Sequence, residues 1–338
     1  MKVVLFTLGG TIASTHAAGG VTPQLTGADL LTSVPGLDRA GAGLDVHDFR
    51  QVPSSSLTVA DIVDLAAAIR DRTGAGADGV VVSQGTDTIE ETAFLLDLLY
   101  DGDAPVVFTG AMRNPTLAGA DGPANLLAAV TVAASPQARG LGCVVVFGDE
   151  IHAARFVVKA HTTSVSAFIS PPAGPLGLIA EGRAVVLTRP PRRPALPRAV
   201  PAAGAPGWAV RTGLVTMVLG DDGALLEAAA GRFDGLVVAG FGAGHVPAAV
   251  VDRLGRLAQC IPVVLASRTG AGMVLARTYA YPGSELDLRA RGLIGAGFLD
   301  PLKARLLLHL LLAGGAARDE IAAAFAAIAA DLVTRSGS

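Results

Sequence analysis

Short runs of apolar residues alternate along this chain with longer segments in which apolar residues recur at helical spacing. The strand-like runs of the first half fall at residues 3–8, 79–83, 105–109 and 141–147. Thr58 and Asp61 have the spacing of a capping box, which predicts a helix start. A helical segment at 88–99 begins immediately after the glycine turn that follows the strand at 79–83. This alternation predicts an α/β fold with mainly parallel sheets covered by helices.

The segment 189–212 interrupts the alternation. It contains six of the chain's 20 prolines and no apolar periodicity, so we interpret it as an exposed interdomain linker. The linker would separate a larger N-terminal catalytic α/β domain at 1–188 from a smaller C-terminal α/β domain at 213–338.

Beyond this linker the alternation resumes. Strands are predicted at 214–219, 236–239 and 262–266, and helices at 222–230, 247–258, 301–313 and 319–332. Asp300 followed by Pro301 is typical of a helix cap and a first-turn proline. The last two helices are apolar nearly all round, so we expect them to need cover, with a partner subunit as one source.

Composition narrows the classes of function. The 26 Lys and Arg residues against 29 Asp and Glu residues leave a net charge of -3, which does not favour binding to nucleic acid or an anionic membrane. Charge or glycine interrupts the most apolar stretches, which predicts buried helices rather than membrane spans. The first residues lack a signal-peptide pattern, which favours the cytoplasm. Cys143 and Cys260 are far apart and are expected to be buried, inert thiols.

Glycine-rich turns with polar residues follow three of the predicted strands. They are Gly9-Gly10-Thr11, Gly85-Thr86-Asp87 and Gly110-Ala111-Met112-Arg113. Such turns are ordinary by themselves, but the carboxyl ends of parallel strands share one edge of a sheet, where α/β proteins place their sites. Each Gly-Thr pair would present a hydroxyl beside accessible N–H groups. Together the turns indicate a nucleophile and an oxyanion pocket.

Lys159 stands out because the chain has 23 arginines and only three lysines. Arginine keeps its proton in proteins, whereas a desolvated lysine can act as a base. A lone lysine at a strand end is usually a solvated charge, but a Thr–Lys–Asp group is also a known form of activated nucleophile. Asp87 would either hold a cationic amine or orient the proton carrier.

Other polar residues have structural explanations beside functional ones. Ser54, in a serine triplet before a capped helix, fits either a helix start or a contact to a substrate carboxylate. Glu90 and Glu91 suit a helix start. Asp121 and Asn125 fit a helix start or a hydrogen-bonded loop, and we expect them to be structural.

No metal or cofactor site is predicted. The six histidines lack ligand spacing, so we expect no metal. Gly240, Gly242 and Gly244 follow an apolar strand, but their spacing does not match a dinucleotide fingerprint, and no phosphate-binding loop motif is present. We therefore expect no NAD and no other cofactor.

Taken together, these residues resemble the bacterial-type L-asparaginase family along essentially the whole chain. The matching motifs, in family order, are Leu8-Gly9-Gly10-Thr11, Ser83-Gln84-Gly85-Thr86-Asp87, Gly110-Ala111-Met112-Arg113, Lys159 with Thr162 and Thr163, and Leu299-Asp300-Pro301. The resemblance implies a larger N-terminal and a smaller C-terminal α/β domain. It also implies hydrolysis of L-asparagine to L-aspartate and ammonia without a cofactor.

The resemblance further implies a role for each site residue. Thr11 would be the nucleophile that forms an acyl-enzyme, and Thr86, Asp87 and Lys159 would form a second triad with Lys159 as proton acceptor. The implied substrate-binding residues are Ser54 for the α-carboxylate, Asp87 for the α-ammonium, and Gly85, Thr86, Ala111, Glu285 and His245. Glu285 matches a carboxylate lent by a neighbouring subunit, so the resemblance implies at least a homodimer and usually a homotetramer.

Two features depart from the family pattern. The loop after Thr11 normally carries a tyrosine that helps to activate the threonine, but residues 16–23 contain none. Another group, such as a nearby hydroxyl or His16, would then activate Thr11, or turnover would be poor. Ala243 and His245 stand where asparagines are common, which leaves substrate preference and pH dependence open.

The sequence therefore predicts a cytoplasmic, self-associating asparagine amidohydrolase that acts on a small molecule. A glutaminase or broader amidase is one alternative. A catalytically weak amino-acid-binding module is another, because the loop tyrosine is missing. Related transamidation subunits act on charged tRNA, but here the chain starts at the catalytic strand, and neither nucleic acid nor membrane is expected as a partner.

Overall fold

The computed structural model describes residues 1–10, 12, 14–17, 20–23, 26–32, 34–37, 41–171, 173–191, 196 and 208–330. The chain divides into two compact units, Met1–Ala195 and Leu196–Ser338. Both are α/β units with mostly parallel strands, as predicted. The predicted linker 189–212 lies largely outside the described residues, so its bounds stay a prediction.

The described strands of the first unit are β1 (Lys2–Thr7), β2 (Ser14–Ala17), β3 (Gly20–Pro23), β4 (Gly43–Asp48), β5 (Gly79–Ser83), β6 (Val106–Thr109), β7 (Cys143–Phe147), β8 (Glu150–Ala153), β9 (Val158–Lys159), β10 (Phe168–Ile169), β11 (Gly177–Ala180) and β12 (Arg183–Val186). Eight of them form the central sheet, in the order β12-β11-β8-β7-β6-β5-β1-β4. Neighbours from β7 to β4 are parallel. The predicted apolar runs lie in these strands, because strands buried on both faces need continuous apolar sequence.

The remaining edge of this sheet is antiparallel, which the apolar pattern did not predict. Gly148 and Asp149 join β7 to β8 with φ angles of 56° and 64°, and Glu181 and Gly182 join β11 to β12 with 49° and 69°. Two-residue turns with positive φ match the twist of a hairpin. Strand β7 was predicted from its apolar run. Strands β8, β11 and β12 have four residues each and carry little pattern of their own.

Four helices accompany the described strands of the first unit: α1 (Gly27–Thr32), α2 (Val59–Gly74), α3 (Ile89–Leu99) and α4 (Gly122–Ala133). Helix α2 begins with the predicted capping box. The Thr58 side chain accepts a hydrogen bond from the Asp61 N–H, and the Asp61 carboxylate accepts one from the Thr58 N–H. Two orphan N–H groups are satisfied in this way.

The second unit repeats the arrangement on a smaller scale. Its parallel strands are adjacent in the order β13 (Thr212–Thr216), β14 (Gly235–Gly240), β15 (Val263–Ser267) and β16 (Ile294–Gly295). Its helices are α5 (Ala224–Ala229), α6 (Val251–Cys260), α7 (Glu285–Ala290), α8 (Pro301–Ala313) and α9 (Arg318–Ala330). Strand β13 ends before the predicted bound, and Leu219 is exposed.

The sheet of the second unit covers most of the apolar surface of α8, whereas α9 buries one face and exposes Ala323, Ala326 and Ala327. A subunit partner as cover for α9 stays a prediction. Helix α8 packs on β13, β14 and β15 and buries most of its side chains. Helix α9 buries Ile321, Phe325 and Ile328. The predicted cap of α8 is present, because Asp300 accepts hydrogen bonds from the N–H groups of Leu302 and Lys303.

The two cysteines differ in their surroundings. Cys143 lies buried in β7, as predicted, but Cys260 is exposed at the last position of α6, so the prediction was wrong for that residue. The sequence pattern did not show that Cys260 lies on the solvent-facing side of the helix. Among the described residues, no helix has the length and apolarity required to cross a membrane.

His152, on β8, is a fully buried imidazole of the first unit. Its Nδ1 lies 3.0 Å from Ser170 Oγ, and its Nε2 lies 3.3 Å from a carboxylate oxygen of the half-exposed Glu150. Burial prevails and lowers the pKa of His152 from 6.5 to about 4. Between these two pH values the unfolded chain holds a proton at this side chain that the folded chain does not.

We therefore expect folding stability to fall as the pH drops from 6.5 to 4, with His152 contributing a loss on the order of 3 kcal/mol. Urea unfolding of the wild type and of His152→Gln at pH 7 and pH 4 measures this contribution. The variant should lose less stability than the wild type over this interval. An equal loss in both proteins would contradict the assignment.

Candidate active site

Three glycine turns meet at the carboxyl edge of the first unit's sheet. Strands β1, β5 and β6 are parallel neighbours, and the chain leaves them through Gly10, Gly85 and Gly110. Gly10 has a φ of 93°, and a Cβ at this position would lie 2.1 Å from the Gly85 nitrogen. At Gly110 a Cβ would lie 2.6 Å from the Gln84 carbonyl oxygen. These contacts exclude any side chain, so the turns pack backbone against backbone.

Thr11, the predicted nucleophile, lies outside the described residues, as do residues 13, 18, 19, 24 and 25 of the loop that follows it. Its neighbour Gly10 contacts the turn that carries Thr86. The first Gly-Thr segment therefore contacts the second through Gly10 and Gly85. The role of Thr11 stays a prediction.

Lys159 contacts two of the predicted site residues at the second turn. Its Nζ lies 2.9 Å from Thr86 Oγ1 and 2.6 Å from Asp87 Oδ1. Thr86 is buried and the Lys159 side chain is 13% exposed, whereas that of Asp87 is 70% exposed. A largely desolvated amine therefore lies between a hydroxyl and a solvent-facing carboxylate.

Glu90 holds Lys159 in this position, although the sequence suggested only a helix-start role for it. Lys159 belongs to the two-residue strand β9, which pairs with β10. Its main-chain N–H donates a hydrogen bond to Glu90 Oε2 at 3.1 Å. Glu90 lies four residues after Thr86, so the helix that starts at this turn also positions the lysine that contacts it. The i, i+4 spacing from Thr86 is the only trace of this role in the sequence.

Gln84 is a second supporting residue that the sequence did not single out. It is fully buried, its amide nitrogen donates to Thr88 Oγ1 at 3.3 Å, and its carbonyl oxygen accepts from Thr92 Oγ1 at 2.9 Å. Thr88 Oγ1 donates in turn to the Ser54 carbonyl oxygen at 3.1 Å. This network ties the Ser54 turn to the Thr86 turn.

Ser54 and Ala111 are two further predicted site residues of the first unit. Ser54 is buried, and a Cβ placed on Gly85 would lie 2.8 Å from its Oγ. Ser54 therefore borders the glycine turn directly. Ala111 follows Gly110 and contributes its methyl group to the apolar core.

Asp121 and Asn125 hold the third turn, and the prediction that they are structural is confirmed. The Asp121 carboxylate accepts hydrogen bonds from the N–H groups of Met112 and Arg113 at 3.0 and 2.8 Å. Asn125 Nδ2 donates to the Gly110 carbonyl oxygen at 3.0 Å. Both side chains thus use their polar atoms on the backbone of the turn.

His245 and Glu285, the other two predicted site residues, lie in the second unit. A tight turn after β14 presents His245, because the N–H groups of Gly244 and His245 both donate to the Phe241 carbonyl oxygen. The glycine run therefore forms this turn and not a dinucleotide loop. Among the described residues, no group of three or more His, Cys, Asp or Glu side chains could hold a metal ion.

Glu285 is completely buried and has partners on both carboxylate oxygens. Its Oε1 accepts hydrogen bonds from the N–H groups of Thr278 and Tyr279, each at 2.8 Å, and its Oε2 lies 3.2 Å from His245 Nε2. Burial by itself would raise the pKa of Glu285, but these hydrogen bonds outweigh it and hold the pKa below its usual value. The carboxylate is therefore ionised, and His245 lies against it.

Family models match both units of the chain. The model described as "Asparaginase, N-terminal" matches residues 2–192, and the one described as "Glutaminase/Asparaginase C-terminal domain" matches residues 211–325. The chain belongs to the asparaginase family. It is therefore an amidohydrolase, which confirms the class of enzyme that the motifs predicted.

Individual relatives support this membership over nearly the full length. A probable L-asparaginase of Deinococcus radiodurans is 41% identical, with 96% of this chain and 97% of the relative covered. A probable periplasmic L-asparaginase of Haemophilus influenzae is 34% identical, with coverage of 92% and 88%. The crystal structure of a probable cytoplasmic L-asparaginase from Campylobacter jejuni matches with a TM-score of 0.85 and 31% identity, covering 96% of this chain and 99% of that one.

For this asparaginase we expect Glu90→Ala to lower kcat for amide hydrolysis by about 10- to 100-fold, because a small displacement of Lys159 from Thr86 is costly. Glu90→Gln keeps an oxygen that can accept the Lys159 N–H and should retain most activity. Glu91→Ala removes a carboxylate from the same helix turn and serves as the control for loss of charge. Ammonia release under saturating substrate measures all three. Equal losses for Glu90→Ala and Glu91→Ala would exclude the positioning role.

Proposed function

We propose that this asparaginase hydrolyses the side-chain amide of L-asparagine to L-aspartate and ammonia. The observation that carries the proposal is the contact of Lys159 Nζ with both Thr86 Oγ1 and Asp87 Oδ1. A lysine, unlike an arginine, can release its proton when desolvated and then accept one from a hydroxyl or a water. The similarity to proteins named L-asparaginase supports the choice of substrate.

The reaction takes two steps. The Thr11 oxygen bonds to the amide carbon and the carbon–nitrogen bond breaks, so ammonia leaves with the hydroxyl proton and an acyl-enzyme remains. A water oxygen then bonds to the acyl carbon and the bond to Thr11 breaks, which releases aspartate. Lys159, through Thr86, accepts the proton of the water and returns it to the threonine oxygen. No cofactor takes part.

The first unit also supplies groups for recognising an amino acid. Asp87 keeps a solvent-facing carboxylate that would pair with the α-ammonium group. The Ser54 hydroxyl, beside Gly85, would donate a hydrogen bond to the α-carboxylate. Ala111 would border the site from the third glycine turn, with its methyl group packed in the apolar core.

Substitution of Lys159 tests the proposed proton transfer. Lys159→Met should lower kcat by about 10²–10⁴-fold. Lys159→Arg should be similarly impaired, because it keeps the charge but cannot take up a proton. Lys2→Met, at an exposed position, is the matched control and should resemble the wild type. Activity retained in Lys159→Arg would exclude Lys159 as the base.

Ammonia release by the pure wild-type protein tests the function itself. Thr11→Ala should abolish release from L-asparagine, and mass spectrometry should detect an acyl adduct on Thr11 in Thr86→Val, where deacylation is slowed. A wild-type protein that releases no ammonia from asparagine or glutamine would overturn the proposal. Binding of aspartate in a calorimeter without any turnover would instead support an amino-acid-binding module.

A glutaminase is the second candidate, because the model matching the second unit is described for both activities. The ratio of kcat/KM for L-asparagine and L-glutamine separates the two.

We further propose that the chain acts in the cytoplasm as a dimer or tetramer, with the Glu285 and His245 pair of one copy completing the site of a neighbour. Light scattering after size exclusion, together with the dependence of specific activity on concentration, tests the assembly.

A further inference from the structure

A chain of hydrogen bonds in the second unit ends at a tyrosine that no predicted role includes. Tyr281 Oη lies 2.9 Å from His245 Nδ1, and His245 Nε2 lies 3.2 Å from Glu285 Oε2. The N–H groups of Thr278 and Tyr279 hold the other carboxylate oxygen. Carboxylate, imidazole and hydroxyl thus follow one another in the order used by hydrolytic triads, with a phenol as the hydroxyl.

The charge of Glu285 determines the direction of each hydrogen bond. An ionised carboxylate only accepts hydrogen bonds, so His245 Nε2 carries a proton. In the tautomer that a relay requires, Nδ1 is the acceptor and the Tyr281 hydroxyl donates to it. A proton that moves from the phenol to Nδ1 creates an imidazolium next to a buried negative charge, which stabilises it.

The buried and exposed ends of this chain point to Tyr281 as the group that meets a ligand. Glu285 is fully buried, the His245 side chain is 19% exposed, and Tyr281 is 49% exposed. A molecule at the surface therefore reaches the phenol before it reaches the carboxylate. Of the chain's three tyrosines, Tyr100 is buried with its hydroxyl donating to the Ala104 carbonyl oxygen, so it is not available for this purpose.

Tyr279 provides an internal comparison. It is 43% exposed, similar to Tyr281, and its ring meets the His245 ring edge-on at a centroid distance of 5.0 Å. The two tyrosine rings are 6.0 Å apart. Within the described residues, the hydrogen bond to Nδ1 comes from Tyr281, whereas Tyr279 contributes its main-chain N–H to Glu285. A phenylalanine at 279 would keep that N–H.

We propose that Glu285, His245 and Tyr281 form a proton relay in which the Tyr281 phenol accepts the hydroxyl proton of the attacking threonine. Glu285 and His245 act on the reaction through Tyr281 and are positioning residues. The inference rests on the proposed function, since the relay is offered to the site by a neighbouring copy together with Glu285. It assigns a base to a nucleophile whose own loop contains no tyrosine.

The proton balance of the step is complete without an added reagent. Tyr281 gives its proton to His245 Nδ1 and takes the threonine proton as the threonine oxygen bonds to the amide carbon. The imidazolium returns its proton through the phenol to the departing nitrogen as the carbon–nitrogen bond breaks. The nitrogen leaves as ammonia, and the relay regains its starting protonation state.

The hydrogen-bond chain can be tested independently of activity by ¹⁵N NMR of the histidine side chains in the full-length protein. We expect His245 to be protonated at Nε2, with a hydrogen-bonded and unprotonated Nδ1. Tyr281→Phe should shift the Nδ1 resonance toward that of a free nitrogen, and Tyr279→Phe should leave it unchanged. A proton on Nδ1 in the wild type, or equal responses to both variants, would overturn the relay.

Kinetics test what the relay does. Tyr281→Phe should lower kcat for ammonia release by about 100-fold with KM changed much less, and Tyr279→Phe should retain wild-type kcat. Glu285→Gln should lower kcat and also alter the His245 protonation pattern seen by NMR. If the wild type shows the expected NMR pattern but Tyr281→Phe keeps wild-type kcat, the catalytic assignment is overturned. A wild-type protein without amidase activity refutes the proposed function, whereas the NMR arm still decides whether the chain of hydrogen bonds exists.

Discussion

Backbone-to-backbone packing of Gly10 on Gly85 is the constraint on which the first unit's site depends. A Cβ at Gly10 would lie 2.1 Å from the Gly85 nitrogen, so a side chain there would force the ends of β1 and β5 apart. Gly110 lies at the same edge, where a Cβ would come within 2.6 Å of the Gln84 carbonyl oxygen. Because the polar residues follow these glycines directly, the close approach of three strand ends also sets how close the hydroxyl and carboxylate groups can come.

The two clusters of charged residues use burial in opposite ways. Asp87 remains largely exposed and contacts a nearly desolvated Lys159, so its charge is available to a ligand. Glu285 is buried and fully hydrogen-bonded, so its charge reaches the surface only through His245 and Tyr281. A carboxylate with no exposed oxygen orients its neighbours more readily than it binds a ligand itself.

Particular elements show why prediction from the sequence succeeded or failed. The buried parallel strands were predictable because both of their faces need apolar residues, and the capping box at Thr58 was predictable because its hydrogen bonds are local. Strands β8, β11 and β12 were not predicted, because four residues give too short a pattern and β8 pairs with the distant β11. The exposure of Cys260 and the cover of α8 by its own sheet were missed for a related reason, since both depend on which surfaces pack together.

The sequence by itself determined the α/β class, the main buried strands and the residue types able to do chemistry, including Thr86, Asp87 and Lys159. These follow from local periodicity, turn composition and the scarcity of lysine. Only the tertiary structure decided that Glu90 binds the main chain of Lys159 across 69 positions, and that Tyr281 lies within hydrogen-bond distance of His245 across 36. Contacts between residues so far apart depend on strand order and helix packing, which no single segment of the sequence encodes.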